Sequence, residues 1–202
     1  MKILAIYGSS RKKYNTDRML DIFLDKFGLN NEDISKITLK DMDYKYCISC
    51  YGCAKEGKCI VRDDLTEVYP LIEEADMIVF ASPVYFNSVS ALAKAFIDRT
   101  QVYWSRKFIL KVPGPKEKFG VCLLNGGSST EEHQFLGSEL VFDHFFKATS
   151  CKKHLTIEVA DTDKYPIDEN NKSYIDFLDS LKINKDEKEC YRIKEGVVYK
   201  CK

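Results

Sequence analysis

Residues 2–16 read K-I-L-A-I-Y-G-S-S-R-K-K-Y-N-T, and they set the organisation of the rest of the chain. The first six form a short apolar run, which ends at Gly8 and leads into a polar turn. After the turn, apolar residues recur at positions 19, 20, 23, 24 and 27, the spacing of one face of an α-helix. The stretch therefore predicts a buried strand, a hydroxyl-rich turn and a helix capped by Asn15 and Thr16.

The predicted turn is suited to binding an anion. A helix N-terminus presents unpaired N–H groups and the positive end of the helix dipole. The turn supplies additional hydrogen-bond donors for a phosphate: Ser9, Ser10, Arg11, Asn15 and Thr16. The pattern matches neither the dinucleotide fingerprint nor the triphosphate-binding P-loop, so it favours a single monophosphate group. The same residues would also suit an ordinary strand–loop–helix connection.

Composition excludes several classes of partner. Lys+Arg and Asp+Glu both number 31, so the formal net charge is zero and no field favours nucleic acid or an anionic membrane. No apolar run approaches the ~20 residues of a membrane span, and the N-terminus lacks the apolar core of a signal peptide. We therefore expect a cytoplasmic protein, with residues 1–202 forming one domain.

Strands and helices alternate along the rest of the sequence. Further strands are predicted at 34–39, 77–81, 119–124 and 154–159, with amphipathic helices between them. This alternation predicts an α/β fold: a five-stranded, doubly wound parallel sheet with helices on both faces, in three layers. Residues 41–63 are expected as a cysteine-rich loop and residues 105–117 as an exposed excursion. The charged tail from about residue 183 has no predicted place in the fold.

Three polar loops follow predicted strands, at residues 8–16, 82–88 and 125–129. In open parallel sheets, ligands bind outside the carboxyl ends of the strands, near a topological switch point. Each loop is rich in Gly, Ser, Asn or Pro. A ligand that touches all three loops would place a phosphate at the first and a flat body between the other two.

The loop sequences resemble those of the NAD(P)H-dependent FMN reductases, which have a flavodoxin-like fold. The matching motifs are G-S-S-R-x-x-x-N-T, S-P-V-Y-F-N-S-V with a later K-A-F-I-D-R, and the glycine pair after the fourth strand. The resemblance covers roughly residues 1–160. It implies an FMN-binding oxidoreductase, and it implies that Ser9, Arg11, Asn15 and Thr16, with Ser10 in the same turn, hold the FMN phosphate.

The same resemblance assigns the other two loops to the flavin. The ribityl chain and one ring edge would be lined by Pro83, Val84, Tyr85, Phe86, Asn87 and Ser88. The other side of the ring would contact Asn125, Gly126 and Gly127, where glycine allows the backbone to approach closely. Core packing is the alternative role for Tyr85 and Phe86.

Four of the eight cysteines lie within thirteen residues. Cys47, Cys50, Cys53 and Cys59 form a C-x2-C-x2-C-x5-C pattern. Four thiolates can hold a 4Fe–4S cluster, and the tight first spacings allow one loop to wrap it. The last spacing is longer than in bacterial ferredoxins, but the pattern resembles the compact motif of the iron–sulfur flavoproteins, a branch of the same family.

Two other interpretations of the cysteine loop remain open. Zinc also takes four cysteines, although zinc ribbons usually space two C-x2-C pairs further apart. The loop could instead hold a redox-active thiol pair or free thiols without metal. Cys122 is expected as a small buried apolar residue. Cys151, Cys190 and Cys201 receive no role.

The cofactors, rather than protein acids or bases, are expected to carry the chemistry. No catalytic residue is predicted, and His133, His144 and His154 are expected in surface or core positions. With a cluster, the resemblance implies electron transfer with ferredoxin as donor. Without one, it implies an NAD(P)H-dependent reductase of flavin, quinone or another small acceptor. A flavin-binding sensor without turnover is a third possibility. The resemblance also implies a homodimer or homotetramer.

Overall fold

The computed structural model describes residues 1–128 and 132–201, so Ser129 of the third predicted loop lies outside the described residues. The helices are α1 (Asn15–Lys26), α2 (Gly52–Glu56), α3 (Leu65–Glu74), α4 (Ala91–Arg99), α5 (Gln101–Trp104), α6 (Leu136–Thr149) and α7 (Lys172–Ser180). The strands are β1 (Lys2–Tyr7), β2 (Asp33–Thr38), β3 (Met77–Tyr85), β4 (Ser88–Val89), β5 (Lys118–Asn125), β6 (Cys151–Val159), β7 (Glu189–Lys194) and β8 (Val197–Lys200).

The strands form one sheet in the order β2-β1-β3-β5-β6-β7-β8, and β4 pairs with β3. The strands from β2 to β7 in that order run parallel, whereas β8 is antiparallel to β7. The first five strands of the order have the flavodoxin-like arrangement, which confirms the predicted fold class. The predicted strand count of five was wrong, because the tail adds β7 and β8 and a hairpin after β3 adds β4. The charged side chains of β7 and β8 hide the strand pattern, and Ile193 is the buried apolar residue in the hairpin that these two strands form.

The sheet is buried on both faces, which explains the three layers. Along β1, Ile3 and Ala5 point into the core shared with α1 and α7. The alternate residues Leu4 and Ile6 point into the opposite core, which α3, α4 and α6 cover. This alternation follows from the two-residue period of a strand, and burial on both faces requires a continuous apolar run.

The segment after β3 is a hairpin rather than the loop predicted at 82–88. The strand continues to Tyr85, and Val84 and Tyr85 pair with Val89 and Ser88 of β4. Phe86 and Asn87 form the two-residue turn, with φ angles of 47° and 60°. Positive φ at both central residues is the mark of the turn type that matches the twist of a β-hairpin.

Two further expectations needed correction. Helix α1 begins at Asn15, and its cap position is Tyr14 without a side-chain cap, so Asn15 and Thr16 are the first helical residues. The predicted excursion at 105–117 begins as ordered helix, since α5 continues into a π-helix at Ser105–Ile109. Basic residues in that segment obscured its packed face. Over the described ranges, no helix combines the length and apolar composition that crossing a bilayer requires.

Candidate functional site

The first predicted loop is hydrogen-bonded at Gly8 to two residues that flank the second loop. The Gly8 amide donates to the carbonyl oxygen of Ala81 at 2.8 Å, and Ser90 Oγ donates to the Gly8 carbonyl at 2.6 Å. A Cβ added to Gly8 would lie 2.6 Å from the Ala81 carbonyl oxygen. A side chain at this position would therefore push the first loop away from β3.

The first and third loops are joined by a buried side-chain hydrogen bond. Thr16 Oγ1 donates to Asn125 Oδ1 at 2.7 Å, and both residues are buried. Residues 8–16, 83–88 and 125–127 therefore share one end of the sheet, and we call this set the three-loop rim. At Gly126, an added Cβ would collide with the end of the Gln134 side chain, which would have to move to admit a larger residue.

Asn15 and Thr16 hold the rim together with their side chains. Asn15 Nδ2 donates to Thr162 O at 3.2 Å, and Asn15 Oδ1 accepts from the Ile167 amide at 2.9 Å. The main-chain amides at the start of α1 are not paired in this way. Within the described residues, the amides of Asn15, Thr16 and Asp17 have no hydrogen-bond partner. These three N–H groups at the start of a twelve-residue helix are the natural donors to an anion.

Ser9, Ser10 and Arg11 form the tight turn before α1. Ser9 Oγ accepts from the Arg11 amide at 3.0 Å and donates to the Arg11 carbonyl at 3.1 Å, which fixes the turn. Ser10 and Arg11 are exposed. The Arg11 guanidinium lies 3.8 Å above the ring of Tyr14, and no carboxylate among the described residues pairs with it. Its charge is therefore available to a ligand.

Asp17 is a buried carboxyl in the first turn of α1 that sequence reasoning missed. Its Oδ2 accepts from the Lys13 amide at 2.7 Å, while Oδ1 has no partner in the part of the chain described. Burial, more than the neighbouring acidic residues, raises the pKa of Asp17. Protonation of this carboxyl would remove a negative charge from beside the helix N-terminus.

The hairpin loop presents aromatic surface to solvent. The side chain of Phe86 is fully exposed and that of Tyr85 is half exposed, so neither packs in the core. Asn87 is also exposed, whereas Pro83, Val84 and Ser88 are partly buried. A bulky residue such as Phe86 pays a steric cost at positive φ, and such strain concentrates at ligand-binding sites. The geometry suits contact with a flat ring.

The four loop cysteines line one cavity of about 430 Å³, which we call the cysteine cavity. All four carry free thiols. The opposite wall comes from the end of α4, from α5 and from the π-helix. It comprises Asp98, Arg99, Gln101, Val102, Trp104, Ser105 and Ile109. The cavity thus brings together two segments that lie about forty residues apart in the sequence.

The spacing of the loop thiols differs from that of a single tetrahedral zinc site. A zinc ion bound to sulfur at ~2.3 Å would hold its thiolates within about 4 Å of one another. Among the described residues, the group of three potential ligands whose donor atoms lie within 4.8 Å is Glu158, Cys190 and Cys201. Cys47, Cys50, Cys53 and Cys59 are therefore spread more widely around their cavity.

Arg99 holds the two ends of the cysteine loop together. Its Nη1 donates to Lys45 O at 2.8 Å and to Asp63 Oδ2 at 2.7 Å, and its Nη2 donates to Val61 O at 3.3 Å. Arg99 is only 2% exposed, so the pair with Asp63 is a buried ion pair. Burial raises the pKa of Asp63, but hydrogen bonds from Arg99 and the Lys45 amide outweigh it and leave the pKa lowered.

Two polar groups in the wall of the cysteine cavity can interact with thiolates. Ser105 Oγ lies 3.3 Å from Cys53 Sγ, and Ser105 is 1% exposed. The Nε group of Arg99 is buried and has no partner in the described ranges. Sequence reasoning missed both residues. The K-A-F-I-D-R motif contains Arg99, but its partners lie far away in the sequence.

The fold and the three-loop rim define a flavodoxin-like α/β protein. The chain belongs to the NADPH-dependent FMN reductase family, whose sequence profile matches residues 1–123. It is 38% identical over 120 residues to an iron–sulfur flavoprotein of Archaeoglobus fulgidus, covering 59% of this chain and 52% of that protein. An iron–sulfur flavoprotein of Methanosarcina thermophila is 30% identical over 128 residues, covering 63% of this chain and 64% of that protein.

The chain thus spans about half the length of the first of these relatives. Among solved structures, the fold is similar to an NAD(P)H:quinone oxidoreductase from Methanothermobacter marburgensis. That match has a TM-score of 0.64 at 14% identity and covers 88% of this chain and 93% of the other. These comparisons confirm the family predicted from the loop motifs.

Proposed function

We propose that this protein is an FMN-dependent oxidoreductase of the iron–sulfur flavoprotein type. The observation that carries the proposal is the pairing of two built sites in one chain. One is the rim with an unpaired helix N-terminus, and the other is a cavity lined by four free cysteines. The names of the curated relatives support the same combination.

In this proposal the FMN phosphate binds to the turn before α1. The amides at the start of α1, the Ser10 hydroxyl and the Arg11 guanidinium hold it, while Ser9 shapes the turn. Asn15 and Thr16 hold the backbone in place through their own hydrogen bonds. Charge-assisted bonds from a guanidinium to a phosphate are among the strongest that a protein surface offers.

The flavin body lies between the second and third loops. Pro83, Val84, Asn87 and Ser88 line the ribityl chain, and Tyr85 and Phe86 cover the ring edge. Asn125, Gly126 and Gly127 contact the other side. When bound, FMN supplies the chemistry, since it accepts a hydride and transfers one or two electrons. The chain's own residues bind the flavin, orient it and shield it from water, and no protein acid or base is assigned.

The cysteine cavity fits a 4Fe–4S cluster better than a zinc ion. The four thiols surround a cavity and are spread more widely than ligands of one tetrahedral ion. Cys47, Cys50, Cys53 and Cys59 would hold the cluster, which supplies single-electron transfer. Ser105 can donate a hydrogen bond to Cys53, and Arg99 adds positive charge beside the thiolates. Both effects favour the reduced, more negative state of a cluster.

The proposed partners follow from this assignment. NAD(P)H or ferredoxin donates electrons, and a small molecule such as a quinone accepts them. We further propose one domain over residues 1–202, a homodimer or homotetramer, and a cytoplasmic location. The six free cysteines support the reducing compartment.

Two alternatives are distinguished by assay. A cluster-free NAD(P)H-dependent reductase of FMN or quinone is favoured by the match to the NADPH-dependent FMN reductase family. Rapid NAD(P)H oxidation by pure protein supports it, whereas reduction only through ferredoxin supports the cluster-containing form. A flavin-binding sensor is supported if bound FMN shows negligible turnover with every donor.

The direct test of the proposed function is analysis of protein purified without oxygen. We expect flavin absorbance on a broad brown shoulder, with about four iron and four acid-labile sulfide per chain. Cys50→Ser should remove the shoulder and retain FMN, while Cys201→Ser, which lies outside the cysteine cavity, should retain both. Flavin bands without iron would refute the cluster, and a colourless protein that binds no FMN would refute the oxidoreductase assignment.

A further inference from the structure

Cys190 and Cys201 form a second sulfur site at the β7–β8 edge of the sheet. The structure joins them by a disulfide across eleven residues. The Cys201 amide also donates to the Cys190 carbonyl at 2.9 Å, so the backbone itself places the two residues opposite each other. Neither cysteine belongs to the cysteine cavity.

A buried carboxyl lies against this pair. Glu158 on β6 is fully buried, and its Oε2 lies 3.9 Å from Cys201 Sγ. The same oxygen accepts from Arg192 Nε at 2.6 Å, and Oε1 has no partner in the part of the chain described. Burial first, and then Glu139, raises the pKa of Glu158 to about 8 against the opposing effect of Arg192. A carboxyl with that pKa can hold or release a proton near neutral pH.

These groups are unsuited to a cation. The donor atoms of Glu158, Cys190 and Cys201 lie within 4.8 Å of one another, as metal ligands would. However, the Arg192 guanidinium already occupies the carboxylate oxygen nearest the sulfur. A metal ion would have to displace this positive charge or bind beside it. The arrangement instead places a carboxyl beside Cys201 Sγ, where it can donate a proton to a leaving thiolate.

The Cys190–Cys201 disulfide is also accessible to thiol reagents in solution. Cys190 and Cys201 are only partly buried, and every residue of β8 is exposed. The bond closes a short edge hairpin rather than linking distant parts of the core. Partly exposed disulfides beside charged groups are typical of bonds that are reduced and re-formed.

We propose that Cys190 and Cys201 are a reversible dithiol/disulfide pair that exchanges with low-molecular-weight thiols, and that Glu158 carries the proton for Cys201. The thiolate of the reagent attacks Cys190 Sγ, and the bond between the two protein sulfurs breaks. Cys201 leaves with the electron pair and takes a proton from Glu158. This proposal is independent of the cysteine cavity and its cluster.

A second reagent thiolate completes the exchange. It attacks the reagent sulfur of the mixed disulfide, so Cys190 leaves as a thiolate and is protonated from water. Glu158 regains its proton from solvent. The protein pair gains two electrons and two protons, and two reagent thiols become one disulfide. Reduction removes the covalent link that holds the end of β8 to β7.

Glutathione buffers of varied reduced-to-oxidised ratio test the pair directly. After equilibration, free thiols are alkylated, and the tryptic peptides at 189–192 and 201–202 are measured by mass spectrometry. We expect the linked peptides to give way to alkylated ones as the ratio rises, with both cysteines changing together. Cys122 and Cys151 serve as internal controls, because both are buried and burial raises the pKa of each thiol.

Either extreme result overturns the proposal. A pair that stays linked at every ratio until the protein unfolds is a structural disulfide. A pair that never links under fully oxidised glutathione consists of two ordinary thiols. Cys190→Ser supplies the control, since it should yield alkylated Cys201 and no linked peptide at any ratio.

The role of Glu158 has its own measurement. Glu158→Gln should slow reduction of the bond by glutathione roughly a hundredfold, the lower end of the range of general acid catalysis. Glu195→Gln is the matched control, because Glu195 is an exposed carboxyl at the turn of the same hairpin. Its rate should stay near that of the unmodified protein. Equal rates for Glu158→Gln and the unmodified protein would overturn the assignment of Glu158.

Discussion

The three-loop rim and the cysteine cavity are built in different ways. The rim is held by backbone contacts at Gly8 and by short hydrogen bonds from residues next to the strands. In the cavity, Arg99 binds both Lys45 and Asp63 at the two ends of the cysteine loop. The Lys45 amide also joins these ends by donating to Asp63 Oδ2 at 3.0 Å. The rim is thus held by hydrogen bonds between neutral groups, whereas the wall of the cavity contains a buried ion pair. The two sites should therefore respond to different substitutions.

Loss of the Arg99 side chain should have the largest effect. Arg99→Leu leaves Asp63 buried without its partner, which costs about 3–5 kcal/mol of unfolding free energy. The cysteine loop should open, so iron incorporation should fail as well. Urea denaturation and iron analysis measure the two effects. Lys94→Ala, which breaks an exposed pair with Asp98, should cost no more than about 0.5 kcal/mol. Equal costs for the two variants would contradict the role given to Arg99.

Arg11 should matter for the rim alone. Arg11→Ala should weaken FMN binding by about 1.5–3 kcal/mol, the value of a hydrogen bond to a charged group, and leave the unfolding free energy unchanged. Fluorescence titration of the apoprotein measures the affinity. Arg18→Ala is the control, since Arg18 is exposed on α1 one turn further along. A loss of iron in Arg11→Ala would show that the two sites are not independent.

Phe86 should show opposite effects on binding and stability. Phe86→Gly removes a bulky residue from positive φ, where the steric cost is about 1 kcal/mol, so the protein should become more stable. The same change removes an aromatic contact, so FMN should bind more weakly. Thermal melting and flavin titration are the measurements. Lys111→Gly relieves a positive φ of 55° outside the rim without loss of a ring, and it should leave affinity intact. Unchanged affinity in Phe86→Gly would remove this residue from the rim.

Ser105 should give the smallest change. Ser105→Ala removes one hydrogen bond to Cys53, which is worth about 1 kcal/mol. The cluster should remain bound, and its reduction potential should become more negative because the reduced state loses a donor. A redox titration followed by electron paramagnetic resonance measures the shift. An unchanged potential with full iron content would mean that the hydroxyl does not act on the thiolate.

Local patterns could be predicted from the sequence, whereas tertiary contacts could not. The strand, turn and helix of residues 2–16 follow from apolar spacing and glycine chemistry, which are local. Burial of β3 on both faces of the sheet could be predicted, because its residues form a continuous apolar run. In the rim, motif resemblance named the residues, but it could not separate side chains that bind one another from those that face solvent. Asn15 and Thr16 belong to the first kind.

The missed features depend on tertiary contacts. Arg99 and Asp63 lie 36 residues apart, and only folding shows that they form one buried pair. The π-helix at Ser105–Ile109 carries basic residues that read as solvent-exposed, yet Ser105 is buried against the cysteine loop. Strands β7 and β8 could not be predicted, because an edge hairpin buries few apolar side chains and carries many charged ones. Each of these features depends on packing that no periodic pattern in the sequence indicates.

The central claim is that the turn before α1 binds the phosphoryl end of FMN. Parallel titrations of the apoprotein with FMN and with riboflavin, which lacks the phosphate, test it most directly. We predict that FMN binds at least about tenfold more tightly, since the phosphate gains charge-assisted hydrogen bonds from Arg11 and the helix amides. Equal affinity for the two flavins would contradict the claim.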